Sequence, residues 1–179
     1  MCGCREGTEE AERNLRKFAE SKGVDPSRIV FTGLINRERQ LQVKSNAHLL
    51  LDTTPYNGHM TAAEALWAGI PLLTLPAARL ASRISYSMLK SIGIEKWLTA
   101  RDIQEYKAIA LSMYNSQQSG GKNGQYAKVK EILSIARKQH KGMFGSENWS
   151  NYFERAAKCA WEVREDGGQR RKHVVVSEN

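Results

Sequence analysis

Two short apolar runs, His48-Leu49-Leu50-Leu51 and Leu72-Leu73-Thr74-Leu75, flank one alanine-rich stretch, and this arrangement constrains the fold more than any other feature. Runs this short, bounded by turn formers, have the length of buried strands rather than helices. Between them Ala62, Ala63, Ala65, Leu66 and Ala68 are strong helix formers. Gly69 stands where a C-terminal cap belongs, and Pro71 stops the helix continuing. Strand, tight loop, short helix and strand in that order predict a parallel βαβ unit.

The loop between the first strand and the helix carries the chemistry. A loop that leaves a strand and opens a helix presents unpaired N–H groups and the positive end of the helix dipole, which suits an anion. Gly58 removes a side chain at the bend, and Thr61 adds a hydroxyl and an N–H in the first turn. Ala62 and Ala63 let a ligand approach the backbone, and His59 supplies a donor able to take a charge. Glu64 lies one turn inside, placed for a sugar diol if phosphate occupies the helix start. The same pattern also fits an ordinary strand–loop–helix turn with a surface His and Glu.

Upstream, Thr8 followed by Glu9, Glu10 and Glu12 reads as a helix entrance, and Gly23 as its end. Residues 28–32 form a β-rich segment, and Asn36 caps a second helix over 37–45. Downstream, helices are expected over 77–92, from the Asp102 cap to Met113, over 125–139 and over 149–164, with a short last strand at 94–98. Alternating helices and strands predict an α/β fold with a parallel sheet wound on both faces. Its right-handed crossovers bring successive strand ends to one ligand-binding edge. The resulting division is a lobe over 1–148, an amphipathic helix over 149–165 and a disordered basic tail over 166–179.

With 179 residues and 41% hydrophobic composition the chain can bury a core. Its net charge of +8 suits phosphate-bearing ligands and also attracts nucleic acid nonspecifically. Most of the excess is spread over helix faces; the one dense cluster, Arg170-Arg171-Lys172, lies in the tail. No zinc-finger spacing or RNA-binding signature supports specific nucleic-acid recognition. Cys2, Cys4 and Cys159 make neither a disulfide framework nor a metal quartet. No stretch has the length of a membrane span or the apolar core of a signal peptide, so a cytoplasmic or nuclear location is expected.

The run Asp52-Thr53-x-Pro55-Tyr56-Asn57-Gly58-His59-x-Thr61, then Leu66-Trp67-Ala68-Gly69-x-Pro71 and Leu80-Ala81-Ser82-Arg83, resembles the C-terminal lobe of the nucleocytoplasmic protein O-GlcNAc transferases, a family that includes SPINDLY-like members. The likeness runs from Glu9 to Arg164 and is densest between Arg28 and Gly93. These are GT-B glycosyltransferases carried behind tetratricopeptide repeats, so the resemblance implies an incomplete, Rossmann-like GT-B C-terminal lobe. Strands and a phosphate-contacting Lys precede this region in the family and have no counterpart here, so a partial lobe is expected.

The resemblance implies UDP-GlcNAc as donor, protein Ser or Thr as acceptor, and no metal or other cofactor. It places the diphosphate on His59, Met60 and Thr61, and the ribose on Glu64. The family more often has Thr where this chain has Met60; a backbone N–H contact survives that change and a hydroxyl contact does not. Tyr56 and Asn57 would lie beside the sugar or phosphate, unless Tyr56 packs and Asn57 only forms the turn. Arg37 falls where relatives place a Lys near the nucleoside, and reads equally as a solvated helix start. Gln40 and Val43 depart from the family's His and basic residue, although Lys44 is adjacent. His59 would also stabilise the leaving phosphate, with no other catalytic residue assigned.

An N-terminal lobe and tetratricopeptide repeats are the expected partners. A GDP-fucose donor, or a noncatalytic module derived from the lobe, are the alternatives. Asp52 reads as a turn-shaping carboxylate, His48 as a core histidine, Trp67 as a packing residue, and Arg83 as either a loop partner or a cleft residue.

Overall fold

The structure is a computed structural model and describes residues 4–33, 35–121 and 124–165. The expected basic tail and Cys2 lie outside the described residues. In chain order the helices and strands are α1 (Cys4–Ser21), α2 (Arg37–Ser45), β1 (Leu50–Leu51), α3 (Met60–Trp67), β2 (Leu72–Leu73), α4 (Ile84–Ile92), α5 (Glu95–Leu98), α6 (Ile103–Gln118), α7 (Gln125–Lys138) and α8 (Ser146–Glu165). The chain divides into two compact units, residues 1–40 and 41–179.

In the first unit, α1 starts ahead of Thr8, so Thr8 is not its cap. Gly23 ends it in the left-handed region at φ +75°, where a Cβ would be strained. A 3-10 turn over Pro26–Arg28 follows, with the Asp25 carboxylate accepting from Ser27 N at 2.9 Å. That bond and the Ser27 hydroxyl hold the Asp25 carboxyl below its usual range. The expected strand over 28–32 does not form. Ile29 is extended, yet residues 29–33 have no ladder partner among the described residues, and β-propensity needs a neighbouring strand to act. Arg16 lies across this segment instead, donating to Pro26 O at 2.7 Å with its guanidinium 5.1 Å from the Phe31 ring centre. Asn36 caps α2 as expected, accepting from Arg39 N at 2.9 Å.

The second unit is built on the predicted βαβ element. β1 and β2 pair in parallel, Leu50 opposite Leu72 and Leu51 opposite Leu73. The strands are shorter than the apolar runs implied. A further parallel bridge joins Thr74 to Thr99 through Thr74 N to Leu98 O and Ala100 N to Thr74 O, both 3.0 Å. The expected last strand is thus one residue later than its apolar run, because residues 95–98 are wound into α5. The expected helix over 77–92 is also divided. Ser82 Oγ accepts from Ala77 N and donates to Arg79 O, giving the backbone an alternative to the helix and leaving a 3-10 turn at Leu80–Ser82 ahead of α4.

Leu66, Leu72, Leu89, Ile94, Leu98, Met113, Val129 and Leu133 are buried together and form the core between the sheet and helices α3 to α7. Each such side chain contributes about 1.5–3 kcal/mol on leaving water. Asp102 caps α6 as read, accepting from Gln104 N at 2.9 Å and Glu105 N at 2.8 Å. Gly93 caps α4 at φ +81°. No helix of the described residues is long and apolar enough to cross a membrane.

Candidate functional site: the start of helix α3

The site is held by the end of β1. Asp52, 8% exposed, directs Oδ1 to Thr53 N at 3.0 Å and Gly58 N at 2.8 Å, while Oδ2 accepts from Thr74 Oγ1 at 2.8 Å. Its backbone carbonyl accepts from the Tyr106 hydroxyl at 2.9 Å. Burial, aided by the nearby Asp52 charge, pushes the Tyr106 phenol up to about 12. Asp52 is therefore the staple that shapes the loop, as its sequence context implied.

The loop between them, residues 53–59, is stitched to its surroundings at several points. Thr53 Oγ1 donates to Tyr56 O at 2.7 Å, and the Thr54–Pro55 bond is cis. Asn57 is fully buried; its N–H reaches Ala81 O at 2.9 Å and its Nδ2 donates to Thr53 O at 3.0 Å. Asn57 thus forms the turn, with its Oδ1 buried and without a partner among the described residues. Ser85 Oγ donates to Gly58 O at 3.4 Å. A Cβ on Gly58 would meet only ordinary contacts at 3.4 Å and beyond, so the bend does not require glycine for space. The Leu80-Ala81-Ser82-Arg83 motif owes its place here to the Ala81 carbonyl and Ser82 hydroxyl, while Arg83 is exposed.

His59 is the residue before α3 and makes no side-chain cap. Ala63 N to His59 O, 3.0 Å, is the first bond of the helix, so the N–H groups of Met60, Thr61 and Ala62 precede its ladder. Met60 is 66% exposed and Thr61 is exposed, so this start opens to solvent. Tyr56, 61% exposed, stacks on His59 with ring centres 4.7 Å apart and its hydroxyl 3.4 Å from Nδ1. Tyr56 therefore packs on the histidine rather than into the core. The His59 Nε2 is shut away from solvent without a hydrogen-bond partner among the described residues.

Glu64 lies one turn into α3, and its Oε2 is paired with Lys44 Nζ from the last turn of α2. The loop, His59, Met60, Thr61 and Glu64 are thus brought together. Arg37 opens α2, and its side chain is outside what the structure describes. His48 is exposed, correcting its reading as a core histidine; its carbonyl accepts from Tyr126 OH at 3.0 Å. Trp67 is 52% exposed and packs one face at a tilt against Phe144. Sequence reasoning missed Thr74, Tyr106 and the Lys44 pairing, since each contact joins residues far apart in the chain.

Three cavities, of about 490, 120 and 280 Å³, lie beside Gly145, Met113 and Trp67 respectively, none of them against this helix start. No group of three or more His, Cys, Asp or Glu among the described residues could hold a metal ion.

A parallel βαβ unit with an open helix start at the strand's carboxyl end is an α/β arrangement suited to a ligand, and its match to a solved O-GlcNAc transferase makes it part of a GT-B lobe. Residues 7–145 match glycosyl transferase family 41, and the chain belongs to that family. It is 38% identical over 104 residues to the UDP-N-acetylglucosamine–peptide N-acetylglucosaminyltransferase of Caenorhabditis elegans, covering 58% of this chain and 9% of that protein. Over 170 residues it is 29% identical to the probable enzyme of the same description, SEC, of Arabidopsis thaliana, covering 94% of this chain and 16% of the relative. Its structure matches a mutant O-GlcNAc transferase of Thermobaculum terrenum with a TM-score of 0.62 and 31% identity, over 72% of this chain and 23% of that one. The chain therefore spans less than a quarter of each of these relatives.

Proposed function

We propose that this chain is the donor-binding part of a protein O-linked N-acetylglucosaminyltransferase, which moves GlcNAc from UDP-GlcNAc to Ser or Thr of proteins in the cytoplasm or nucleus. The carrying observation is the α3 start, where solvent-open Met60 and Thr61 precede the first helix bond beside His59 and one turn from Glu64. Names borne by the nematode and Arabidopsis relatives support the donor.

In this reading the diphosphate rests on the N–H groups of Met60 and Thr61, and Glu64 accepts from the ribose hydroxyls. Tyr56 and Asn57 border the phosphate and sugar, and Arg37 is the residue that the family resemblance assigns to the nucleoside. The acceptor oxygen attacks the anomeric carbon as the bond to the β-phosphate oxygen breaks and its electron pair leaves with UDP. The amides, the helix dipole and His59 stabilise that charge without a metal ion. Acceptor binding and removal of the hydroxyl proton fall to an N-terminal lobe, and tetratricopeptide repeats accompany it on the full-length protein.

Calorimetry with UDP, GDP and a short RNA tests the proposal. UDP should bind, and binding should be lost in Thr61→Pro, which removes a donor at a position where proline is tolerated, and weakened in Glu64→Ala. A preference for GDP would transfer the assignment to a fucosyl donor. Salt-sensitive RNA binding indifferent to both substitutions would overturn it in favour of a noncatalytic module.

A further inference from the structure

The ion pair between Lys44 and Glu64 joins residues 20 apart in sequence, from the last turn of α2 to the first turns of α3. Neither end is a loose surface charge: the side chains are 26% and 18% exposed. Lys44 stands near the C-terminus of α2, where a cation is favoured by the helix dipole. β1 separates the two helices in sequence, so the contact exists only once α2 has packed beside the βαβ unit.

We propose that Lys44 is a positioning residue for the donor nucleotide, holding the Glu64 carboxylate in the orientation that accepts the ribose hydroxyls; this rests on the donor-site reading given above. A glutamate has three side-chain torsions, and ordering it on binding weakens affinity. Fixing one oxygen on a partly buried ammonium orders the group in advance. A carboxylate offers lone pairs to several donors at once, so a glutamate that is already paired can still accept from a diol.

Because Lys44 acts through Glu64, its removal should be felt only by ligands that use Glu64. The test is calorimetry of the whole chain with UDP and with 2′,3′-dideoxy-UDP, for the unsubstituted chain, Lys44→Met, Lys44→Arg, Glu64→Gln and the Lys44→Met/Glu64→Gln double variant. Melting temperatures establish that each variant is folded. Lys44→Met should weaken UDP by about 3- to 10-fold, the range of a partly exposed ion pair, while the dideoxy analogue changes less than about twofold. Lys44→Arg should recover most of the loss, and Lys44→Met should add nothing to Glu64→Gln. Equal losses for both ligands, or no loss, in a chain that binds UDP would overturn the role of Lys44 while leaving the donor site standing. Failure of the unsubstituted chain to bind UDP would remove the donor-site reading and this inference together.

Discussion

Thr74 Oγ1 donates to Asp52 Oδ2 at 2.8 Å, joining two strand ends that lie 22 residues apart in sequence. Both residues are buried, and the other oxygen of the same carboxylate holds Gly58 N. One side chain thus ties the carboxyl end of the sheet to the bend that leads into α3. The position of the helix start is a consequence of sheet geometry, transmitted through Asp52.

Asp52→Ala should accordingly destabilise the chain by about 2–4 kcal/mol, since it strands the N–H of Gly58 and the hydroxyl of Thr74 in a buried place. Thr74→Val keeps the shape and removes one bond, and should cost about 1–2 kcal/mol. Asp52→Asn keeps an acceptor for Gly58 and should cost less than Asp52→Ala. Urea unfolding of these variants, with the Asp52→Ala/Thr74→Val double variant, should give a loss smaller than the sum of the single losses, because both changes break one shared contact. Additive losses would show that the contact contributes nothing.

The Tyr106 hydroxyl provides a pH-dependent test of the same corner. Its folded-state pKa of about 12 lies above the 10.0 of an ordinary tyrosine. The unfolded chain therefore releases this proton first, and its stabilising contribution is fully present below about pH 10 and lost as pH rises through about 12. Tyr106→Phe should cost about 1 kcal/mol near pH 8, through loss of the bond to the Asp52 carbonyl. The gap between the two proteins should narrow in chemical denaturation near pH 11. A gap that stays constant between these conditions would mean the phenol titrates alike in both states.

Gly142 and Gly93 both have positive φ, +57° and +81°, but their surroundings differ. A Cβ on Gly93 meets nothing within 4 Å, whereas one on Gly142 collides with the backbone carbonyl of Ser91. Gly93→Ala should then cost only the left-handed strain, about 1–2 kcal/mol. Gly142→Ala must also push apart α4 and the turn after α7, where Met143 N is held by Ser91 Oγ at 3.1 Å, and should cost more than about 3 kcal/mol. Equal losses in thermal melts would contradict the close approach.

The parts of this structure that depend on neighbours in the chain were readable in advance. Ala62 to Gly69 spell a helix and its stop, Asp102 and Asn36 cap as their types require, and Gly23 and Gly93 sit at left-handed ends. What could not be read depends on distant partners. Ile29 and Val30 have strand-forming side chains but no strand beside them among the described residues, so they remain a connection. Ser82 breaks a helix because its hydroxyl finds Arg79 O and Ala77 N, an outcome that apolar spacing does not encode. Trp97 and Leu98 are apolar enough for a strand, yet the ladder forms at Thr99. At the site, the places of His59, Thr61 and Glu64 followed from the loop pattern and that of Met60 from the family resemblance, while the Tyr56 stack on His59 and the Lys44 pairing with Glu64 depend on the folded chain.

Met60 separates contact through the backbone from contact through a side chain. It is the first residue of α3 and extends into solvent, so its side chain holds nothing in place. If the N–H groups of the first turn grip the diphosphate, Met60→Ala should leave UDP affinity within about twofold, because the amide is unchanged. Met60→Thr adds a hydroxyl at the same point and should strengthen binding by up to about 10-fold, the gain of one charge-assisted hydrogen bond. Calorimetry on the two variants at one salt concentration reads both effects. A large loss in Met60→Ala would mean that the thioether, not the helix start, contacts the ligand, and the anion site would have to be sought elsewhere on the lobe.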